Sequence, residues 1–204
     1  DTRACVVIEH SIVGSIQVNV DEVAVDPVPI CASDSVIDAT GADCEGAEFA
    51  AVGAAGSAFA HVRLRLARCT VIGRIQVHVL ELAENSLLLG RVCAARRQIG
   101  CVRFCHVMPG SRTPRRFHCQ PDLAEAQARA ALPAHPTPTQ VADAEAAARR
   151  RVQPRFTTLR YGRPGYCQLA LDGPEEIARG ADDESEMGVY HDLYLPQRLA
   201  RLEA

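Results

Sequence analysis

The sequence predicts a mainly β protein: a right-handed parallel β-helix (solenoid) followed by a C-terminal helical hairpin and a mixed cap. Three observations predict it. First, Val62 to Val92 is nearly all strand formers, and its second half repeats its first. With Cys69 aligned on Asn85, the residues five and three before each are apolar (Leu64 and Leu66, Leu80 and Leu82), as are those two after, Val71 and Leu87. Second, the same template fits upstream, around Ser11 (Val6, Ile8, Val13) and Ser35 (Ile30, Ala32, Ile37). Inward residues, a small or polar corner, then another inward residue is the pattern of one coil in a solenoid. Third, aromatics are 4% of the chain and Trp is absent, so Val, Ile, Leu and Ala must fill the core. Stacked coils suit such a core better than a sandwich with aromatic layers.

Residues 1–108 are read as the coils. VVIEHSIVGSIQV and PICASDSVIDA give the first two, separated by turn signals at Asp26-Pro27 and Pro29. Residues 40–60, rich in Gly and Ala, break the pattern and are read as a loop inserted at a turn. Coils three and four follow, and a weaker fifth runs from Gly100 to Val107. Residues 109–153 form a Pro/Arg connector and two Ala-rich helices. The first opens at Pro121, and the second has Thr139 as its expected N-cap and Arg at its end. Residues 154–204 are turn-rich, with a short helix at PEEIARG, and are read as a cap or docking segment over one end of the coils.

With 204 residues, 48% of them hydrophobic, the chain can bury a substantial core. The net charge of −3 argues against a dedicated nucleic-acid protein, and every basic residue is Arg. Nine Cys at irregular spacing read as reduced thiols, several acting as small apolar fillers, which points to synthesis in the cytoplasm. No apolar run is long enough for a membrane span. The chain starts at Asp1 inside a strand-like run, and is expected to be part of something longer.

Four constellations bear on function. His10, Asp34, Arg68 and Glu84 precede the corners, so stacked coils place them in one column. Such a column is a surface charge ladder worth about 0–1 kcal/mol per pair, or part of a carbohydrate site. Glycoside cleavage needs two carboxylates about 5–9 Å apart, and here Arg68 falls between Asp34 and Glu84. The corners themselves, Ser11, Ser35, Cys69 and Asn85, suit backbone hydrogen bonding at turns, with no base placed to make Cys69 a nucleophile. Cys93, Cys101, Cys105, His106, His118 and Cys119 lie close in sequence. Among them Cys101, Cys105, His106, His118 and Cys119 are the candidates for zinc, although their spacing is not that of paired CxxC motifs. No other cofactor is indicated. Residues 91–120 hold seven Arg and no acid, and residues 172–192 hold eight acids and one Arg. Opposite blocks of this size are expected to meet, within the molecule or between subunits, with Arg112, Arg115, Arg116, Asp182, Asp183, Glu184 and Glu186 as the interface candidates. The acidic run lacks the spacing of an EF-hand.

At GCVRFCHVMPGSRTPRRFHCQP (100–121), LRYGRPGYCQL (159–169) and GADDESEMGVYHDLYLPQR (180–198) the chain resembles an uncharacterised family of bacterial β-helix proteins, and the resemblance extends over nearly its whole length. That family is associated with phage-tail-like contractile injection systems and their baseplates. The resemblance implies other subunits of a large assembly as partners and a cytoplasmic or released particle as location. It supplies no catalytic residue. The expectation is therefore a non-catalytic structural or interaction component, with no nucleic acid as ligand. The alternative is a β-helix protein that binds or cleaves carbohydrate.

Overall fold

The computed structural model describes residues 5–18, 26–40 and 50–195. The first repeat contains β1 (Val6–Glu9), β2 (Ile12–Val13) and β3 (Ile16–Gln17), and the second β4 (Val28–Ser33), β5 (Val36–Asp38) and β6 (Ala50–Gly53). The third comprises β7 (Ala60–Ala67), β8 (Thr70–Ile72) and the first half of β9 (Arg74–Glu84). The second half of β9 opens the fourth repeat, with β10 (Leu87–Leu88) and β11 (Val92–Ala94). Then come β12 (Cys101–Arg103), β13 (His106–Val107) and β14 (Arg115–Phe117). Three α-helices, α1 (Asp122–Ala130), α2 (Pro138–Arg151) and α3 (Glu175–Ala178), and a 3-10 turn at His191–Leu193 complete the described elements.

All named strand pairs are parallel, and equivalent strands of successive repeats pair with one another. The first ladder runs β1-β4-β7-β9-β12-β14 and the second β2-β5-β8-β10-β13, while β3, β6, the start of β9 and β11 form a third row. The fold is thus mainly β, in parallel sheets. The four residues aligned by the sequence repeat stand opposite one another, Val6 on Ile30, Ile30 on Leu64 and Leu64 on Leu80. Ile30, Leu64 and Leu80 have no exposure. They belong to one interior cluster of aliphatic residues, Cys69, Cys105 and Cys119, without an aromatic ring. Burial of each large aliphatic side chain contributes about 1.5–3 kcal/mol.

The register between β7 and β9 shifts twice, first between Ala60 and Arg63 and again between Leu64 and Arg65. Leu64 faces Leu80, but Arg65 faces Leu82, so Glu81 is an extra residue in β9. This is a β-bulge, two residues opposite one. Beyond it every assignment in the fourth repeat moves by one. Ala83, not Leu82, joins Leu66 inside, and Leu88, not Leu87, joins Val71. Leu87 points to the other face and packs on Leu169, Ile177 and Met187.

Other expectations are corrected as well. Of the segment 40–60, read as a loop, Ala50–Gly53 forms β6 and Ala60 opens β7, because Ala51, Val52 and Ala60 are small enough to fill the interior and have no exposure. Residues 41–49 of that loop lie outside the described residues. The ladders also continue past residue 108: Cys101–Arg103 pairs with Arg115–Phe117, and Cys93 bridges Arg112. The short Arg-rich strand carries too little periodicity to stand out between prolines.

The two helices form the expected hairpin, joined through Ala124, Ala128, Ala148 and Val152 and by ion pairs Arg129–Glu145 and Arg149–Glu125. The N-cap of α2 is Thr137 rather than Thr139. Its hydroxyl accepts from the Gln140 amide while the Gln140 side chain accepts from the Thr137 amide, and Pro138 occupies the first helical position. The C-terminal segment was expected over one end of the coils. Residues 154–195 instead dock on the flank, against the outward side of the second ladder. Tyr166 and Cys167 pack on Val36 and Ile72, and the Tyr166 hydroxyl donates to Asp38 Oδ2 at 2.5 Å.

Two outcomes follow from this packing. A Cβ at Gly90 would lie 2.1 Å from the Gly73 carbonyl oxygen, whereas one at Gly14 would meet only a carbonyl at 4.0 Å. Gly90→Ala is expected to lower stability in urea unfolding by at least about 1–3 kcal/mol, and Gly14→Ala to leave it nearly unchanged. Tyr166→Phe strips the buried Asp38 of a donor and should lower stability by about 1–3 kcal/mol in the same measurement.

Candidate functional site

Each repeat turns from the first ladder to the second at one residue in the left-handed region. These are His10, Asp34, Arg68, Asn85, Phe104 and His118, with φ of 46°, 49°, 53°, 49°, 50° and 49°. Non-glycine residues pay about 1–2 kcal/mol for that conformation. The residue after each is Ser or Cys: Ser11, Ser35, Cys69, Ser86, Cys105 and Cys119. In every case its side chain donates to the carbonyl two residues back, at 2.6, 2.6, 3.3, 2.7, 3.1 and 3.4 Å respectively. Ser35 and Ser86 also accept from the backbone amides of Ser11 and Cys69, both at 3.0 Å. The corner is therefore a hydrogen-bonded device stacked from row to row.

This arrangement changes the predicted column. Its fourth member is Asn85, not Glu84, because of the bulge at Glu81. Glu84 lies one residue earlier and pairs with Arg103 at 2.5 Å. Asp34 and Arg68 do meet, in a two-pronged contact of 2.5 and 2.7 Å. Burial would raise the Asp34 carboxyl, but the Arg68 hydrogen bonds and charge outweigh it and hold it below the usual carboxylate range.

The column is also where the C-terminal segment docks. Asn85 donates to Asp182 Oδ1 at 2.7 Å and accepts from the Asp182 amide at 3.2 Å, while its carbonyl accepts from the Gly188 amide at 2.8 Å. Thr70 Oγ1 accepts from the Val189 amide at 3.1 Å. Arg68 Nε lies 3.7 Å from Asp192 Oδ1. Behind these contacts the ring of His191, 5% exposed, sits between two carboxylates. Its Nδ1 is 3.1 Å from Asp192 Oδ1 and its Nε2 is 3.2 Å from Asp183 Oδ1. Asp183 Oδ1 also accepts from the Ser185 amide and hydroxyl at 3.0 and 2.6 Å. Burial would raise the Asp183 carboxyl, but these donors keep it low. Asp182, Asp183 and His191 place one potential metal-ligand atom each within 4.8 Å of the others.

The zinc candidates from sequence do not form such a group among the described residues. Cys105 and Cys119 are corner residues inside the stack, and burial pushes both thiols up, away from the thiolate a metal would need. His106 is buried on β13, where desolvation pushes its pKa down to about 4 and keeps the ring neutral. His118 is exposed and stacks on Phe117, with ring centroids 4.3 Å apart. Cys101 lies on β12, half-buried. All eight cysteines among the described residues are free, and burial pushes Cys69 up to about 11, which leaves no nucleophile there.

The interface candidates are not joined to one another within the chain. Arg116 pairs with Asp122 at 3.0 Å, and Arg112 and Arg115 are exposed along the last rows. Asp182 and Asp183 are engaged as described, and Glu184 lies 3.4 Å from Arg179. Glu186 is buried, and desolvation alone pushes its pKa up to about 7. The acidic segment docks on rows two to four, whereas the Arg cluster follows the later rows. No helix among the described residues is long and apolar enough to cross a membrane. Comparison with family models, curated proteins and solved structures finds no match.

The raised Glu186 pKa fixes the sign of one pH effect. The folded state favours the protonated acid, so this contribution is fully present below the ordinary carboxylate range and is lost as pH rises through about 7. Glu186→Gln should therefore stabilise the protein at pH 8 by about 2–3 kcal/mol and have little effect near pH 4, as measured by chemical unfolding at both values.

Proposed function

We propose that the chain is a right-handed parallel β-helix serving as a non-catalytic structural or interaction component of a large phage-tail-like assembly, of the contractile-injection or baseplate kind. In-register pairing of successive repeats supports the solenoid reading, and parallel crossovers are right-handed in nearly all proteins. The observation that carries the interaction role is the open first strand. β1 bonds to β4 on one side, and among the described residues no strand bonds to its other side. Val6 and Ile12 are 41% and 52% exposed, whereas their partners in the next row, Ile30 and Val36, are 0% and 2% exposed. Val7, 61% exposed, adds to this apolar edge.

An exposed parallel edge with apolar side chains is a template for strand addition, and its occupant in this reading is an edge strand of another protein subunit. The exposed Arg91, Arg96, Arg97, Arg112 and Arg115 offer a second, electrostatic contact to acidic partners. The kind of assembly rests on the resemblance of residues 100–121, 159–169 and 180–198. A carbohydrate-cleaving role is less well supported, because Asp34 and Glu84 are each bound to an Arg.

The test is sedimentation of particles from the native cell carrying a tagged chain. The chain should travel with contractile-tail subunits, and the double change Val7→Asp and Ile12→Asp should release it without altering its melting temperature. A wild-type chain recovered only as free monomer, or a polysaccharide-cleaving activity abolished by Asp34→Asn, would refute the reading.

A further inference from the structure

The His191 ring presents an unsolved contact. Asp192 is a pure acceptor, so the hydrogen bond at 3.1 Å puts the ring proton on Nδ1. Nε2 lies on the loop side of the ring, 3.2 Å from the Asp183 carboxylate. Nε2 is buried and makes no hydrogen bond. A buried polar atom with no hydrogen-bond partner calls for one that the protein does not supply. Asp182 brings a second carboxylate to the same place, and the three ligand atoms lie within 4.8 Å of one another.

We propose that Asp182, Asp183 and His191 bind a divalent transition-metal ion, with zinc as the reference species. One imidazole and two carboxylates are ligands that such ions accept. Tetrahedral ligation at about 2.0–2.1 Å separates neighbouring donors by about 3.3 Å, close to the 3.2 Å between Nε2 and Asp183 Oδ1. The surrounding contacts are those of a built site. Asp192 orients the imidazole through Nδ1, as carboxylates do behind metal-bound histidines. Asn85 holds Asp182, and Ser185 holds Asp183 through two hydrogen bonds. The metal would fasten the C-terminal loop to the corner column, since Asn85 and Arg68 are both corner residues. It is a site distinct from the Cys/His set, and it does not depend on the assembly proposed above.

Calorimetric titration of the chelator-treated chain with Zn2+ provides the test. One equivalent should bind and raise the melting temperature, because the ion binds the folded state. Asp183→Asn and Asp182→Asn keep their hydrogen-bond acceptors, so they should fold and yet weaken binding by at least about 10-fold. Asp192→Asn removes the orienting carboxylate and should weaken it by about 10–100-fold. Co2+ in place of Zn2+ should give a spectrum without thiolate charge-transfer absorption, and Cys105→Ser with Cys119→Ser should leave affinity unchanged. The absence of stoichiometric binding would overturn the proposal. Binding insensitive to the Asp changes, or a thiolate spectrum, would overturn it equally.

Discussion

Every row of the stack changes direction at one left-handed residue followed by a Ser or Cys that donates to the carbonyl two residues back. Glycine would adopt that conformation without steric cost, yet none of the six corners uses it. A side chain at the corner is therefore retained against a conformational penalty, and the hydrogen bond beside it offsets part of that penalty. Because the corner fixes where each strand ends, it also fixes which residues point inward in the next ladder. The interior cluster and the outward face of the second ladder both depend on it.

The same constraint produces the docking surface. Corner side chains project outward in a column, and Asp34, Arg68 and Asn85 are consecutive members of it. Asp34 and Arg68 neutralise one another, while Asn85 offers an amide donor, an amide acceptor and a backbone carbonyl to one short acidic loop. Leu87, Val36 and Ile72 supply the apolar contact beside it. A ladder of charges that would contribute little if left in water becomes partly covered, and His191, Asp182 and Asp183 are gathered as a result.

Much of the stack was legible in the residues. Val6, Ile30, Leu64 and Leu80 were aligned by pattern, and they pair as aligned. The fourth repeat was misaligned from Leu82 onward because a period-two pattern cannot register one inserted residue, and Leu82 and Ala83 are both apolar. Cys105 and Cys119 are candidate ligands in the sequence because they fall in a short stretch rich in Cys and His. Each thiol turns inside directly after a left-handed corner, while His118 is itself an exposed corner and His106 is buried on β13. The pairing expected of Arg115 and Arg116 with Asp182 and Asp183 failed within the chain for a related reason: net charge along a segment does not say which row it occupies.

The sequence by itself determined the class of fold, the aliphatic interior and the existence of a small polar corner, because these are repeated locally and each copy reinforces the others. Only the tertiary structure decided the bulge at Glu81, the docking of residues 154–195 on the flank rather than over an end, and the meeting of His191 with Asp182 and Asp183. Those features arise once each, from contacts between residues as far apart as Asn85 and Asp182. No period or spacing encodes a contact that is made only when two separate parts of the chain are packed together.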